Sequence, residues 1–246
     1  LIDPSLRTIG FWNQETKLAT LHYYACHPMS YYGDGEVHYD FVGIARERRR
    51  KEDNNVPHLY FTGCAGNIAA GKYNDGSPER RPALAQLIYQ AMEQSDNGND
   101  KEPLERWEWR SKAVQLPVRG DLNQEKLQQT LADPKERMVE RLRAALQLSW
   151  LARCSAQVPI FLTGLILNDI NRIIHLPGEC FIEYQQYAKF QLEEAFLITA
   201  AYGDGGPWYI PTAAAYAEGG YEVTASWVAP EAEAILQEAI KFFLRR

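Results

Sequence analysis

The chain has 246 residues, 46% of them hydrophobic and 24% charged, enough for one large domain with a sizeable core and no need of disulfides or a structural metal. Its net charge of −6 and scattered basic residues exclude a nucleic-acid surface, which needs a concentrated positive face. No apolar run is long enough for a transmembrane helix, and the four cysteines, Cys26, Cys64, Cys154 and Cys180, form no CxxC pair, so zinc-finger and zinc-ribbon spacings are excluded as well.

Residues 8–12 and 17–25 read as two strands joined by a turn over 13–16. The second strand must stop near His27, because Pro28 cannot donate to a sheet ladder. An imidazole at a strand end, followed by a Gly- and Tyr-rich loop over 30–35, sits where open α/β sheets hold ligands. It is also what a partly buried histidine bonded to a backbone carbonyl looks like. Residues 40–52 predict a helix capped by Asp40, with Phe41, Ile44 and Ala45 as its apolar stripe and the basic run 46–51 at its solvated end. A buried strand over 56–62 leads into a glycine-rich loop over 63–82 and a helix over 82–94 with Pro82 in its first turn. Residues 95–103 form a polar linker. Alternation of Trp107 and Trp109, then Val114 and Leu116, predicts an antiparallel strand over 105–117.

Helices over 124–131 and 134–154 are split at Asp133-Pro134, and strands over 158–167 and 172–175 flank a turn at 168–171. A helix over 181–194, a buried strand over 196–202, a glycine-rich loop over 203–221, a short strand over 222–227 and a helix over 230–244 complete the chain. Strand, loop and helix recur in that order, so the expectation is a single α/β domain over 1–246. Its architecture is expected to be layered α/β/α, around a mixed and mostly parallel sheet.

Three motifs carry chemistry. Gly66-Asn67-Ile68-Ala69-Ala70-Gly71-Lys72 fits the glycine and lysine spacing of a phosphate loop. Tyr73, however, stands where a magnesium-binding hydroxyl is needed, and turn residues follow where a helix should begin. Its glycines are better explained by close backbone approach to a ligand or a metal. His27 after one strand and Pro177-Gly178-Glu179 after another supply an imidazole and a carboxylate, half of a catalytic zinc set, although a carboxylate at a helix start also suits the helix dipole. The segment 203–222 is rich in glycine and tyrosine, and its ordered turn can aim Asp204 or Tyr209 inward. Cys26 and Cys64 both fall at strand ends, and spacing leaves a bridge between them open.

Taken in order, these segments resemble the catalytic domain of the neutral, non-lysosomal ceramidases over about residues 18–227. Tyr24-Ala25-Cys26-His27-Pro28-Met29-Ser30 is similar to a segment whose histidine binds zinc, and Asp40-Phe41-Val42-Gly43 to a segment a few residues later. Pro177-Gly178-Glu179 is similar to one whose glutamate is a zinc ligand, and Tyr209–Glu222 matches a tyrosine-rich segment in spacing. The resemblance implies a zinc-dependent hydrolase of a lipid-like N-acyl amide, acting through metal-activated water or a nearby hydroxyl. It implies His27, Glu179 and Tyr209 as zinc ligands, with one more histidine expected from a part before residue 1. It also implies Tyr221 as the oxyanion donor, Asp40 or Asn67 as a catalytic-site group that orients a ligand, and a secreted or periplasmic location.

Two departures stand against it: there is no HxH segment, which the family uses for a further zinc ligand, and Ala69 falls where the family carries a serine. Ser77 is a substitute for that serine only if its loop folds back, and His38 is a spare ligand only if the loop before it folds inward. The alternative is a non-catalytic lipid- or glycan-binding relative that keeps the fold. Oligomeric state is not encoded in any of these motifs.

Overall fold

The computed structural model describes residues 1–31, 35–98, 100–192 and 196–245. Residues 32–34 of the loop predicted after His27, residue 99 of the predicted linker and residues 193–194 at the end of a predicted helix lie outside the described residues.

The first part of the chain runs β1 (Arg7–Asn13), β2 (Thr16–Tyr24), α1 (Asp40–Glu52), β3 (His58–Thr62) and α2 (Arg80–Asn97). The second runs β4 (Trp107–Val114), α3 (Gln124–Ala132), α4 (Met138–Ser155), β5 (Ile160–Leu167), β6 (Asn171–His175), β7 (Glu179–Cys180), α5 (Ile182–Gln191), β8 (Leu197–Ala200), β9 (Tyr209–Ile210), α6 (Ala215–Glu218), α7 (Tyr221–Ala225) and α8 (Ala232–Leu244). Each part builds a sheet, ordered β1-β2-β3 in one and β4-β5-β6-β8 in the other, while β7 and β9 pair separately.

The period-two alternation of strands decides how these layers stack. Leu21 and Tyr23 of β2, Ile9 of β1 and Phe61 of β3 share one face of the first sheet. They pack on Leu165, Ile173, Ile198 and Ala200, which share one face of the second. The opposite face of the first sheet presents Tyr60 to α1 and α2. The opposite face of the second buries Leu162 and Ile174 against α5 and α8. Gly164 lies on that face because a side chain there would meet the Phe243 ring at 2.6 Å.

The protein is therefore mixed α/β with helices on the outside, but it has two sheets face to face where one central sheet was expected. Nor are the sheets mostly parallel. The hairpin turns at 13–16 and 168–171 are too short to cross over, so they join antiparallel strands, and the long ladders β1–β2, β4–β5 and β5–β6 are antiparallel. Parallel pairing is confined to β2–β3, β6–β8 and the two-residue β7–β9.

Three local expectations also change. Residues 222–227 do not form a strand. Gly219 and Gly220, with φ of 78° and 115°, turn the chain into the short helix α7, and only Val228 bridges, to Val118. Glu179 does not open a helix, since it lies in β7 and α5 begins three residues later. Asp40 lies inside the first turn of α1 at φ 51°, rather than capping it from outside.

Candidate metal centre

Main-chain hydrogen bonds assemble three loops. β7 and β9 are in parallel register with Glu179 beside Tyr209, so the carboxylate and the phenol leave one face as cross-strand neighbours. The loop after β3 is tied to this ladder by Gly66, whose N–H donates to the Cys180 carbonyl at 2.9 Å. A Cβ on Gly66 would lie 2.3 Å from the Glu179 carbonyl oxygen, so only glycine permits the crossing. Gly178, at φ +52°, is required as well: a Cβ there would lie 2.4 Å from the Trp208 carbonyl.

The segment after β2 joins through Ile68. The Ile68 carbonyl accepts from the His27 N–H at 2.9 Å and from the His27 ring Nδ1 at 3.2 Å. That bond fixes the tautomer and leaves Nε2 facing the Glu179 Oε2 at 3.1 Å. Hydrogen bonding to Glu179 raises the His27 pKa, outweighing burial, which acts in the opposite direction.

The Tyr209 phenol neighbours Glu179 across the β7–β9 ladder, and burial followed by the charge of Glu179 holds its pKa well above the ordinary phenol value. Tyr221 lies beside it, its ring 5.9 Å away and nearly perpendicular, and is itself largely exposed. The structure thus brings His27, Glu179, Tyr209 and Tyr221 to one place. Tyr202 completes the wall, its ring 6.5 Å from His27 and edge-on.

Other candidates point elsewhere. Asn67 spends both ends of its amide on α5: Oδ1 accepts from the Ile182 N–H at 2.8 Å and Nδ2 donates to Glu183 at 3.0 Å. The Asp40 carboxylate accepts from the N–H groups of Ser30 and Phe41, pinning the segment that follows His27. The His38 ring accepts from the Asp40 N–H, and the Ser77 hydroxyl donates to Asp75 on the surface. Ala69 is exposed, and Asp204 is held by Arg153 through two bonds of 2.8 and 2.9 Å. The four thiols are free, and Cys180, one residue beyond Glu179, lies against Cys64 rather than Cys26.

Sequence reasoning missed the groove that opens beside Glu179. It has a volume of about 440 Å³ and is walled by Trp150, Trp208, Trp227, Tyr202 and Leu146. These residues come from four separate segments, and the bends at Tyr202 and Trp208, at φ 65° and 58°, have no local sequence signal.

A second cluster of suitable ligand types was also missed. Asp53, His58 and Asp96 place ligand atoms within 4.8 Å of one another. Their charge is already balanced: the Lys17 ammonium lies 2.8 Å from both carboxylates, and the Arg49 guanidinium 3.0 Å from Asp96. A divalent ion here would meet an ammonium group at contact distance. Behind them a buried chain runs from the Thr8 hydroxyl to His22 Nδ1 at 2.9 Å, and from His22 Nε2 to His58 Nδ1 at 2.8 Å. It continues from His58 Nε2 to Asp53 at 3.1 Å. The chain is satisfied when both imidazoles are neutral, and burial, then the neighbouring His58, depresses the pKa of His22 to about 3.

No protein-family sequence model matches this chain, and no curated protein matches it. Its fold is that of solved ceramidases. It is similar to a ceramidase complexed with C2 at a TM-score of 0.72 and 12% identity, over 98% of this chain and 47% of that one. It is similar to the neutral ceramidase of Pseudomonas aeruginosa at a TM-score of 0.70 and 13% identity, over 98% of this chain and 46% of that one. The chain thus spans about half the length of the ceramidases it matches.

Proposed function

We propose that the protein is a zinc-dependent hydrolase of the neutral-ceramidase type, cleaving the amide of an N-acylated, lipid-like substrate. One observation carries the reading: His27 Nε2 and Glu179 Oε2 face each other at 3.1 Å, with Tyr209 the cross-strand neighbour of Glu179. Among the described residues no lysine or arginine pairs with Glu179. Donors about 2.0–2.2 Å from a tetrahedral zinc lie roughly 3.3 Å apart, so the observed pair fits one ion with little movement. Catalytic zinc takes imidazole and carboxylate donors and keeps a position open. His27 and Glu179 supply one of each and Tyr209 adds a phenol, while the family's further histidine from an HxH segment has no counterpart in this chain.

Zinc supplies Lewis acidity: it polarises a carbonyl and brings the pKa of a bound water to about 7. The residues of this chain do the rest. Ile68 holds the imidazole so that Nε2 carries its lone pair toward the centre. Tyr221, exposed and with its ring 5.9 Å from that of Tyr209, donates in this reading to the oxygen that gains charge as the amide is attacked. Asn67 acts at one remove, holding the start of α5 against the loop that carries Ile68. The aromatic groove next to Glu179 suits an apolar substrate.

The competing reading, a binding module that has kept the fold, is favoured by Ala69 at the position of the family serine. Metal analysis and turnover separate the two. The expected result is about one zinc per protein and hydrolysis of at least one N-acyl amide. Protein with stoichiometric zinc that turns over no member of an amide and ester panel would leave the binding module.

A further inference from the structure

We propose that α4 docks the protein on an anionic lipid surface and sets the groove beside Glu179 against it. Met138, Leu142 and Leu146 succeed one another at four-residue intervals, rotating only about 40° per step, and so form one stripe along the helix. They are 65%, 56% and 51% exposed, whereas α4 turns Ala144 and Trp150 inward. A helix of a water-soluble domain does not ordinarily leave three large apolar side chains in line facing solvent.

Two observations name the occupant. The stripe is continuous with the groove: Leu146 ends the one and walls the other, and Glu179 lines the same groove. Charge is reversed locally, since residues 135–153 carry Lys135, Arg137, Arg141, Arg143 and Arg153 against Glu136 and Glu140, in a chain whose net charge is −6. Arg153 is taken by Asp204; Arg141, half-buried and donating to the Leu131 carbonyl at 3.0 Å, and the exposed Arg143, 3.4 Å from Glu140, fall on either side of the stripe. There their stems can lie along apolar surface while the guanidinium groups reach lipid phosphates. Apolar residues between flanking cations fit a bilayer interface bearing anionic headgroups, and basic groups near such a surface add to its attraction. That the groove then receives a chain from the bilayer rests on the lipid-amide reading; the docking itself does not.

The test is co-sedimentation of the full chain with phosphatidylcholine vesicles with and without about 30% phosphatidylglycerol. Expected are binding at least about tenfold tighter to the anionic vesicles, weakening in high salt, and a loss of about tenfold or more in Met138→Ser/Leu142→Ser. Lys135→Glu/Arg143→Glu should abolish the preference for anionic vesicles. Both variants should keep wild-type zinc content and wild-type turnover of a soluble short-chain amide, with Leu142→Gln alone serving if the double variant does not fold.

Absence of wild-type binding, or equal binding by the apolar variant, overturns the proposal. So does a size-exclusion result in which the stripe variant merely dissolves a dimer, since the stripe would then cover a second copy. Protein that binds vesicles through the stripe but holds no zinc supports docking and refutes only the hydrolase reading. Protein that holds zinc and cleaves a soluble amide but ignores vesicles refutes only docking.

Discussion

The molecule contains two clusters in which histidine meets carboxylate, and they are built on opposite principles. Around Asp53, His58 and Asp96 every charge has a partner from the chain itself: Lys17 and Arg49 supply the cations, and Thr8 and His22 close the imidazole chain behind. Around Glu179 the partners are an imidazole, a phenol and main-chain groups, and among the described residues no lysine or arginine joins them. The first ties β1, β2, β3, α1 and α2 together and has no vacancy for an external ion. The second has donors without a fixed cation, which is what a metal ion requires. Residue type and proximity are alike in the two clusters; they differ in whether a lysine or arginine of the chain lies among the carboxylates.

The sharpest way to break this contrast is at Glu179. Glu179→Gln should lower zinc occupancy from about one to below about one-tenth and cut amide hydrolysis by roughly a thousandfold or more, whereas Asp96→Asn should leave metal content unchanged. Metal analysis of the two purified variants decides it, and unchanged zinc in Glu179→Gln would remove that residue from the ligands.

The buried cluster should instead respond to acid. His22 protonates near pH 6.5 when unfolded and near 3 when folded, so its contribution to stability is complete above 6.5 and is lost as pH falls from 6.5 toward 3. The His58 pKa is lowered too, chiefly by burial. Denaturant unfolding across that window should register a loss of roughly 4 kcal/mol. A flat profile would mean that the imidazole chain is not buried and neutral as described.

Lys17→Met tests the internal cation. It strips both carboxylates of their shared ammonium and should cost about 2–3 kcal/mol in urea unfolding. If the variant gained a second zinc, the cluster would be a metal site held shut by one side chain.

Tyr221→Phe should lower kcat by roughly thirtyfold with zinc content unchanged, because it removes one donor to the developing oxyanion. A matching rise in KM instead would make Tyr221 a binding residue. The smallest effect is expected at Asn67→Ala, about 1 kcal/mol of stability from the lost bond to the start of α5, with kcat nearly intact.

How far these features could be read beforehand depends on the distance over which each is encoded. Most element types and their order were legible, because alternation around Trp107 and Trp109 and the turns at 13–16 and 168–171 act over a few residues. The stacking of two sheets was not. It depends on which faces of β2 and β8 meet, and Tyr23 and Ile198 are 175 positions apart. His27 and Glu179 stood out because proline and glycine mark the ends of the segments that carry them, whereas Tyr209 was separated from Asp204 only by the family resemblance. The Lys17–Asp53–Asp96 network did not, since its members lie on β2, just after α1 and on α2, and none sits in a motif. Residues 222–227 misled by composition: Tyr221, Val223 and Thr224 favour strands, but two glycines with positive φ redirect the backbone before they can pair.

The threading of Gly66 beneath the Glu179 carbonyl has one more consequence. The lattice that aims the imidazole, the carboxylate and the phenol is made of amide groups, which every amino acid carries, so it asks little of the surrounding alphabet beyond two positions without a side chain. Such an arrangement depends little on the side chains around it, and a scaffold sharing about one residue in eight with solved ceramidases still has their fold.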